Sequence, residues 1–101
     1  MQPKYDPLSL SGVTRITPPR IGDERGWFSE AFRPDLFRTN VADVDFVQEN
    51  RSMSAAPGTV RGLHFQTPPH AQGKLVSCLA GALWDVVVDL RQGSPTFGKW
   101  E

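Results

Sequence analysis

One cysteine, one tyrosine and two histidines are all that this 101-residue chain has of those residues, and its formal charge is zero. Each scarcity excludes something. Cys78 has no partner for an intramolecular disulfide. It lies in Leu75-Val76-Ser77-Cys78-Leu79, where a small buried hydrophobe is the expected role. A reducing, cytoplasmic compartment is consistent with that. Eleven basic and eleven acidic side chains cancel and leave no basic stripe, so a nucleic-acid-binding face is not expected. No apolar run approaches the ~20 residues of a membrane-crossing helix. Met1-Gln2-Pro3-Lys4-Tyr5-Asp6 lacks the apolar stretch of a signal peptide, and none is expected. The pattern His64-Phe65-Gln66 has a glutamine where a His-x-His metal pair would place its second imidazole, and His70 falls in a proline-flanked loop. A stable site needs three or four donors in fixed geometry, so no metal is expected. There is no internal repeat, low-complexity tract, GxGxxG or P-loop.

Nine glycines, nine prolines, six phenylalanines and three tryptophans point instead to short strands separated by turns. Residues 1–11 are polar and proline-containing and read as an arm. Residues 13–17 alternate apolar and polar as a strand does. Pro18-Pro19 ends it, and Gly22-Asp23-Glu24-Arg25-Gly26 is a turn. Residues 27–32 read as an aromatic strand. Pro34 is placed for the first turn of a helix over residues 34–40, with Leu36 and Phe37 inward. Residues 45–52 are extended, with Phe46, Gln48 and Asn50 on one side and Val47, Glu49 and Arg51 on the other. Pro57-Gly58 suits the centre of a type II turn. Residues 60–66 and 74–80 read as strands around the loop 67–72, since Pro68-Pro69 cannot join a ladder. Residues 82–91 carry the longest strand signal, with Trp84, Val86, Val88 and Leu90 on one face and Asp85, Val87, Asp89 and Arg91 on the other. Gln92-Gly93-Ser94-Pro95 is a turn, and Phe97 opens a further strand.

This pattern gives an all-β, mainly antiparallel fold with one short helix. A sandwich or jelly-roll barrel is its natural closure. The chain stops in mid-pattern at Phe97-Gly98-Lys99-Trp100-Glu101. The expectation is one domain over residues 1–101 that is incomplete at its C-terminus or completed by a partner.

The chemistry concentrates in Arg61-Gly62-Leu63-His64-Phe65-Gln66 and Gln72-Gly73-Lys74-Leu75-Val76. Ionisable groups on strands that bury a face are costly unless paired or used. A neutral imidazole is a general base near pH 7. An ammonium beside it stabilises the enolate formed when a proton next to a carbonyl is removed. Arginines bind phosphate bidentately, and the carboxamides of Gln48 and Asn50 suit a polar ligand. Proton abstraction α to a ketone on a phosphorylated substrate is a coherent reaction class for this set. Asp85 is a candidate partner that keeps Lys74 protonated. The plainer alternatives are a core histidine satisfied by neighbours, a solvated Lys74, solvent-facing carboxamides, and Asp85 and Asp89 on a solvated strand face.

Six stretches together resemble the dTDP-4-dehydrorhamnose 3,5-epimerase family. They are Asp23-Glu24-Arg25-Gly26-Trp27-Phe28, Phe46-Val47-Gln48-Glu49-Asn50-Arg51, the two stretches around His64 and Lys74, Asp85-Val86-Val87-Val88-Asp89-Leu90-Arg91, and Ser94-Pro95-Thr96-Phe97-Gly98-Lys99-Trp100. The match runs in register from about residue 10 to residue 101. The resemblance implies a cupin-type jelly roll, a homodimer whose N-terminal strands cross to the partner, and no metal or organic cofactor. It implies epimerisation of dTDP-4-dehydro-6-deoxyglucose at C3 and C5, on the route to dTDP-rhamnose. His64 matches the family's base and Lys74 the lysine near the sugar's C4 oxygen. Arg25, Glu30, Gln48, Glu49, Asn50 and Arg61 match positions that hold the nucleotide-sugar, and Phe28 matches an aromatic near the nucleotide. Two features depart from a simple fit. Arg61 and His64 fall on opposite faces of a regular strand, as do Gln48 and Glu49, unless Gly62 marks a bulge or a residue reaches the ligand from a partner. Family members are also nearly twice as long, and the tyrosine acid and the aspartate that orients the base belong to the part this chain does not contain. A non-catalytic nucleotide-sugar-binding module, or an inactive fragment, is the alternative, as is an enzyme acting on one carbon or a sibling 4-keto sugar.

Overall fold

The computed structural model describes residues 2–101, which fall into two units. Met1–Val47 and Asp85–Glu101 form the first, and Gln48–Trp84 form the second.

The first unit contains every helix and strand among the described residues. Strand β1 (Lys4–Pro7) pairs antiparallel with β2 (Thr14–Thr17), with Tyr5 opposite Ile16 and Asp6 opposite Arg15. The connecting turn is closed by Leu8 N–H to Val13 O at 2.9 Å and Val13 N–H to Leu10 O at 3.2 Å. This turn tucks Leu10 inward to 3% exposure. The expected arm over residues 1–11 is therefore partly strand. Tyr5 and Ile16 meet on the half-buried face, a partnership that a four-residue polar stretch bounded by prolines does not advertise.

A second hairpin joins β3 (Ile21–Asp23) to β4 (Gly26–Phe28) around Glu24-Arg25. The Asp23 carboxylate accepts the Arg25 backbone N–H at 2.8 Å, which tightens the loop. Gly26 closes it with φ at +137°, a region that a side chain would strain. The strand expected over residues 27–32 stops at Phe28. Its partner β3 begins at Ile21, directly opposite Phe28. Beyond that pair lie Arg20 and Pro19, and proline has no N–H to continue the ladder.

Helix α1 occupies Pro34–Asn40, as the sequence predicts. Arg33 is extended at the N-cap, Pro34 occupies the first turn, Asp35 faces the positive end and Arg38 the negative end. Phe37 is the helix's buried residue. It packs against Phe32 and Phe46 with centroid separations of 5.8 and 5.1 Å, and Phe32 and Phe46 lie 6.0 Å apart. The helix ends where Val41 and Ala42 N–H both turn to Phe37 O.

The last stretch forms a narrow hairpin. Val87 and Glu101 exchange both backbone hydrogen bonds at 2.9 Å, and Val88 bridges Trp100. Pairing of the strand expected over residues 82–91 is confined to this short stretch. Asp89, expected on a solvated face, is buried at 5% exposure. It turns back over its own turn and accepts hydrogen bonds from Arg91, Ser94 and Thr96. The Glu101 carboxylate accepts bonds from Ser9 Oγ at 2.8 Å and Leu10 N at 3.2 Å, joining this hairpin to the first turn of the same unit.

The second unit carries no helix or strand among the described residues, and all of its residues are exposed. The strands expected over residues 60–66 and 74–80, and the extended run as far as residue 52, form no ladder. A strand is defined by its partner, and none lies against these stretches. Val60, Leu63, Phe65, Val76 and Leu79 are each more than half exposed. Cys78, expected buried, is exposed for the same reason. The turns did form where expected. Thr59 Oγ donates to Ala56 O at 2.7 Å across Pro57-Gly58, and His70 N–H donates to Thr67 O at 2.8 Å. The chain as described has two small antiparallel sheets and one short helix, with no closed barrel among the described residues.

Candidate functional site

The residues proposed from the sequence divide between the two units. Arg25, Phe28 and Glu30 lie in the first; Gln48, Glu49, Asn50, Arg61, His64 and Lys74 lie in the second.

In the first unit Arg25 grips Asp23 in a fork, with Nη2 at 2.6 Å from Oδ2 and Nε at 3.2 Å. The side-chain hydrogen bond from Arg25 holds the Asp23 carboxyl below its usual range, and Asp23 raises the guanidinium in turn. Both are largely exposed, so water screens the pair. Arg25 is thus held by the carboxylate of its own loop while its side chain stays exposed. Phe28 and Glu30 are brought together. They line a pocket of about 200 Å³ with Pro3, Pro19, Ile21 and Arg33. One wall is apolar, and Glu30 supplies a carboxylate whose Oε1 lies 3.4 Å from Arg33 Nε. Trp27 faces the other way in the hairpin and takes Arg20 over its ring at 4.2 Å.

At the start of the second unit, residues 48–51 pair as the alternation read from the sequence predicts. Gln48 Nε2 donates to Asn50 Oδ1 at 3.2 Å, so the two carboxamides share a side. Arg51 Nε lies 3.4 Å from Glu49 Oε1 on the other. Arg61 is anchored by Met53 O at 2.9 Å and Ser54 Oγ at 3.2 Å. Gly62 follows directly. Its φ is +102°, and a Cβ there would lie 3.3 Å from His64 Nδ1. That φ is a backbone setting residues with a side chain rarely adopt, which suits glycine at this position. Among the described residues His64 and Lys74 make no hydrogen bond or ion pair to each other. Each presents a free polar end to solvent. Among the described residues no three His, Cys, Asp or Glu side chains cluster closely enough to hold a metal ion.

Three partners escaped the sequence reading. Asp23 holds Arg25, Ser54 holds Arg61, and Arg33 reaches Glu30. Only the first had a local signal, the Asp-x-Arg spacing of a side-chain-closed turn.

The family model for dTDP-4-dehydrorhamnose 3,5-epimerase matches residues 7–101, a span that takes in all of these site residues. The chain belongs to the dTDP-4-dehydrorhamnose 3,5-epimerase family. A relative of that name from Sinorhizobium fredii is 62% identical over 96 residues, which cover 95% of this chain and 49% of the relative. One from Shigella flexneri is 54% identical over 92 residues, covering 90% of this chain and 50% of the relative. A dTDP-4-dehydrorhamnose 3-epimerase from Streptomyces niveus is 46% identical over 96 residues, covering 94% of this chain and 46% of the relative. The chain thus spans about half the length of each of these epimerases. No helix among the described residues is long and apolar enough to cross a membrane.

Proposed function

We propose that this chain carries the proton-abstracting and nucleotide-holding part of a dTDP-4-dehydrorhamnose 3,5-epimerase. The observation that carries the reading is the family match over residues 7–101, which includes His64 and Lys74 together with the nucleotide-holding set. The substrate is dTDP-4-dehydro-6-deoxyglucose. His64 takes the proton from the carbon beside the C4 ketone. Lys74 donates a hydrogen bond to the enolate oxygen that results. Return of a proton to the opposite face of the sugar inverts the carbon. Arg25, Arg61, Gln48, Glu49 and Asn50 hold the nucleotide-sugar, and Phe28 and Glu30 meet its nucleotide end. No metal or cofactor enters this scheme, because the ketone itself is the electron sink. Residues 1–101 are the N-terminal part of one cupin-type jelly-roll domain, working in the cytoplasm as a homodimer.

Two further readings rest on particular observations. The Streptomyces niveus relative is named for epimerisation at C3 alone, so turnover at a single carbon is the first. Coverage of only about half of each relative supports the second, a chain that binds the nucleotide-sugar without inverting it.

Incubation with the 4-keto substrate in D₂O, followed by NMR at C3 and C5, tests all three. Deuterium entering at both carbons supports the 3,5-epimerase chemistry, and deuterium at C3 alone supports the single-carbon reading. His64→Ala lowers the exchange rate at least ~100-fold, the usual contribution of a general base. Lys74→Gln lowers it by about the same factor, as loss of an oxyanion donor does. A folded chain that binds substrate with no exchange at either carbon leaves the binding reading standing and removes the catalytic one.

A further inference from the structure

We infer that Arg33 is a positioning residue that aims Glu30 at the bound nucleotide. The inference rests on the function proposed above, in which Glu30 meets the nucleotide end of the substrate. Glu30 lies between the end of β4 and the start of α1, where no helix or ladder fixes the backbone. Its side chain is 56% exposed. A glutamate in that setting loses considerable rotamer freedom when it is made to point in one direction. It must also accept a hydrogen bond from a ligand whose phosphates carry its own sign of charge. Both problems are met by one fixed cation.

Arg33 has the geometry of that cation. Its backbone is the N-cap of α1, and its carbonyl accepts the Phe37 N–H at 3.0 Å. Its neighbour Phe32 is packed on Phe37. On the far side the guanidinium is held by Asp35 in a fork, Nε to Oδ1 at 3.2 Å and Nη2 to Oδ2 at 2.6 Å. Arg33 is thereby fixed at both ends. Its Nε reaches Glu30 Oε1 at 3.4 Å, and both side chains line the pocket of about 200 Å³ that Phe28 walls. Glu30 is the movable member of the pair and Arg33 the fixed one. Exposed ion pairs of this kind do little for folding. The effect is therefore expected in ligand affinity.

The test is the affinity of the full 101-residue chain for dTDP, by calorimetry, in five versions. These are the unsubstituted chain, Arg33→Gln, Glu30→Gln, the double substitution and Arg33→Lys. Arg33→Gln weakens binding about two- to five-fold, the range of an exposed charge pair. Glu30→Gln weakens it at least as much. The double substitution is no weaker than Glu30→Gln alone, because Arg33 acts through Glu30. Arg33→Lys recovers more than half of the loss, since a point charge survives without the fork. The far-ultraviolet circular dichroism of all five is the same. Equal affinity of Arg33→Gln and the unsubstituted chain overturns the inference alone, as does an undiminished Arg33 effect in the Glu30→Gln background. A neutral Glu30→Gln removes Glu30 from the site and the inference with it. An unsubstituted chain that does not bind dTDP overturns both the inference and the function on which it rests.

Discussion

Asp85 and Asp89 alternate along one stretch and look equivalent on paper, yet Asp89 alone is buried. Its carboxylate accepts Arg91 N and Nε at 2.9 and 3.0 Å, and Ser94 Oγ and Thr96 Oγ at 2.6 Å each. Arg91 contributes most, with Ser94 and Thr96 behind it, and together they hold the carboxyl well below its usual range. A group whose folded pKa is depressed adds stability above its unfolded value, 3.8 here, and loses it as acid protonates the unfolded chain first. The melting temperature of the chain should therefore fall progressively as the pH drops from roughly 5 toward 2, and fall less steeply in Asp89→Asn. At neutral pH that substitution should lower the melting temperature by several degrees. It leaves an amide N–H₂ facing the donors of Arg91, Ser94 and Thr96. A melting curve of Asp89→Asn that matches the unsubstituted chain at neutral pH would remove the carboxylate from any structural role.

Among the elements, α1 shows how much a short helix depends on what it covers. Seven residues are too few for a helix to persist by propensity alone. The helix stands because Phe37 fits between Phe32 and Phe46. Phe37→Ala removes the central ring, and about 3 kcal/mol of stability should go with it. Chemical denaturation followed by circular dichroism reads this directly, and loss of the helical signal before the strand signal is the expected order. The capping signals around Pro34 were legible in the sequence because proline and the acidic first turn act locally. The β1 strand was not, because its alternation becomes visible only against Ile16.

Across the whole molecule the two units differ in kind. The first has a buried leucine, a buried phenylalanine and hydrogen-bonded hairpins. The second has neither a ladder nor a buried residue among those described. Backbone N–H groups without partners exchange with solvent at nearly the rate of an open chain. Amide hydrogens of residues 48–84 should exchange at least ~10-fold faster than those of Leu8, Val13, Phe37, Val87 and Asp89, whose N–H groups are hydrogen-bonded. Exchange measured by mass spectrometry checks this, and equal protection in both units would show a cover over the second. Addition of dTDP should slow exchange around Gln48, Asn50 and Arg61 if these residues hold the nucleotide as proposed.

Residue chemistry and turns came from the chain alone. The His64 and Lys74 motifs, the Pro57-Gly58 turn and the helix over residues 34–40 depend on neighbours within a few positions, so their signals lie in short stretches of sequence. The shared side of Gln48 and Asn50 was equally readable, since it follows from the period of an extended backbone. Burial was not. Asp89 and Cys78 exchanged their expected environments, and Phe65 and Leu79 stayed exposed. Whether an alternating stretch becomes a buried strand depends on a second stretch lying beside it. That partnership is a long-range event, paid in chain entropy and returned only by packing. Nothing within residues 60–66 or 74–80 encodes it. The positive φ at Gly62 belongs to the same class, because the sequence shows that a glycine is free to take either sign of φ while only the folded chain shows which it took.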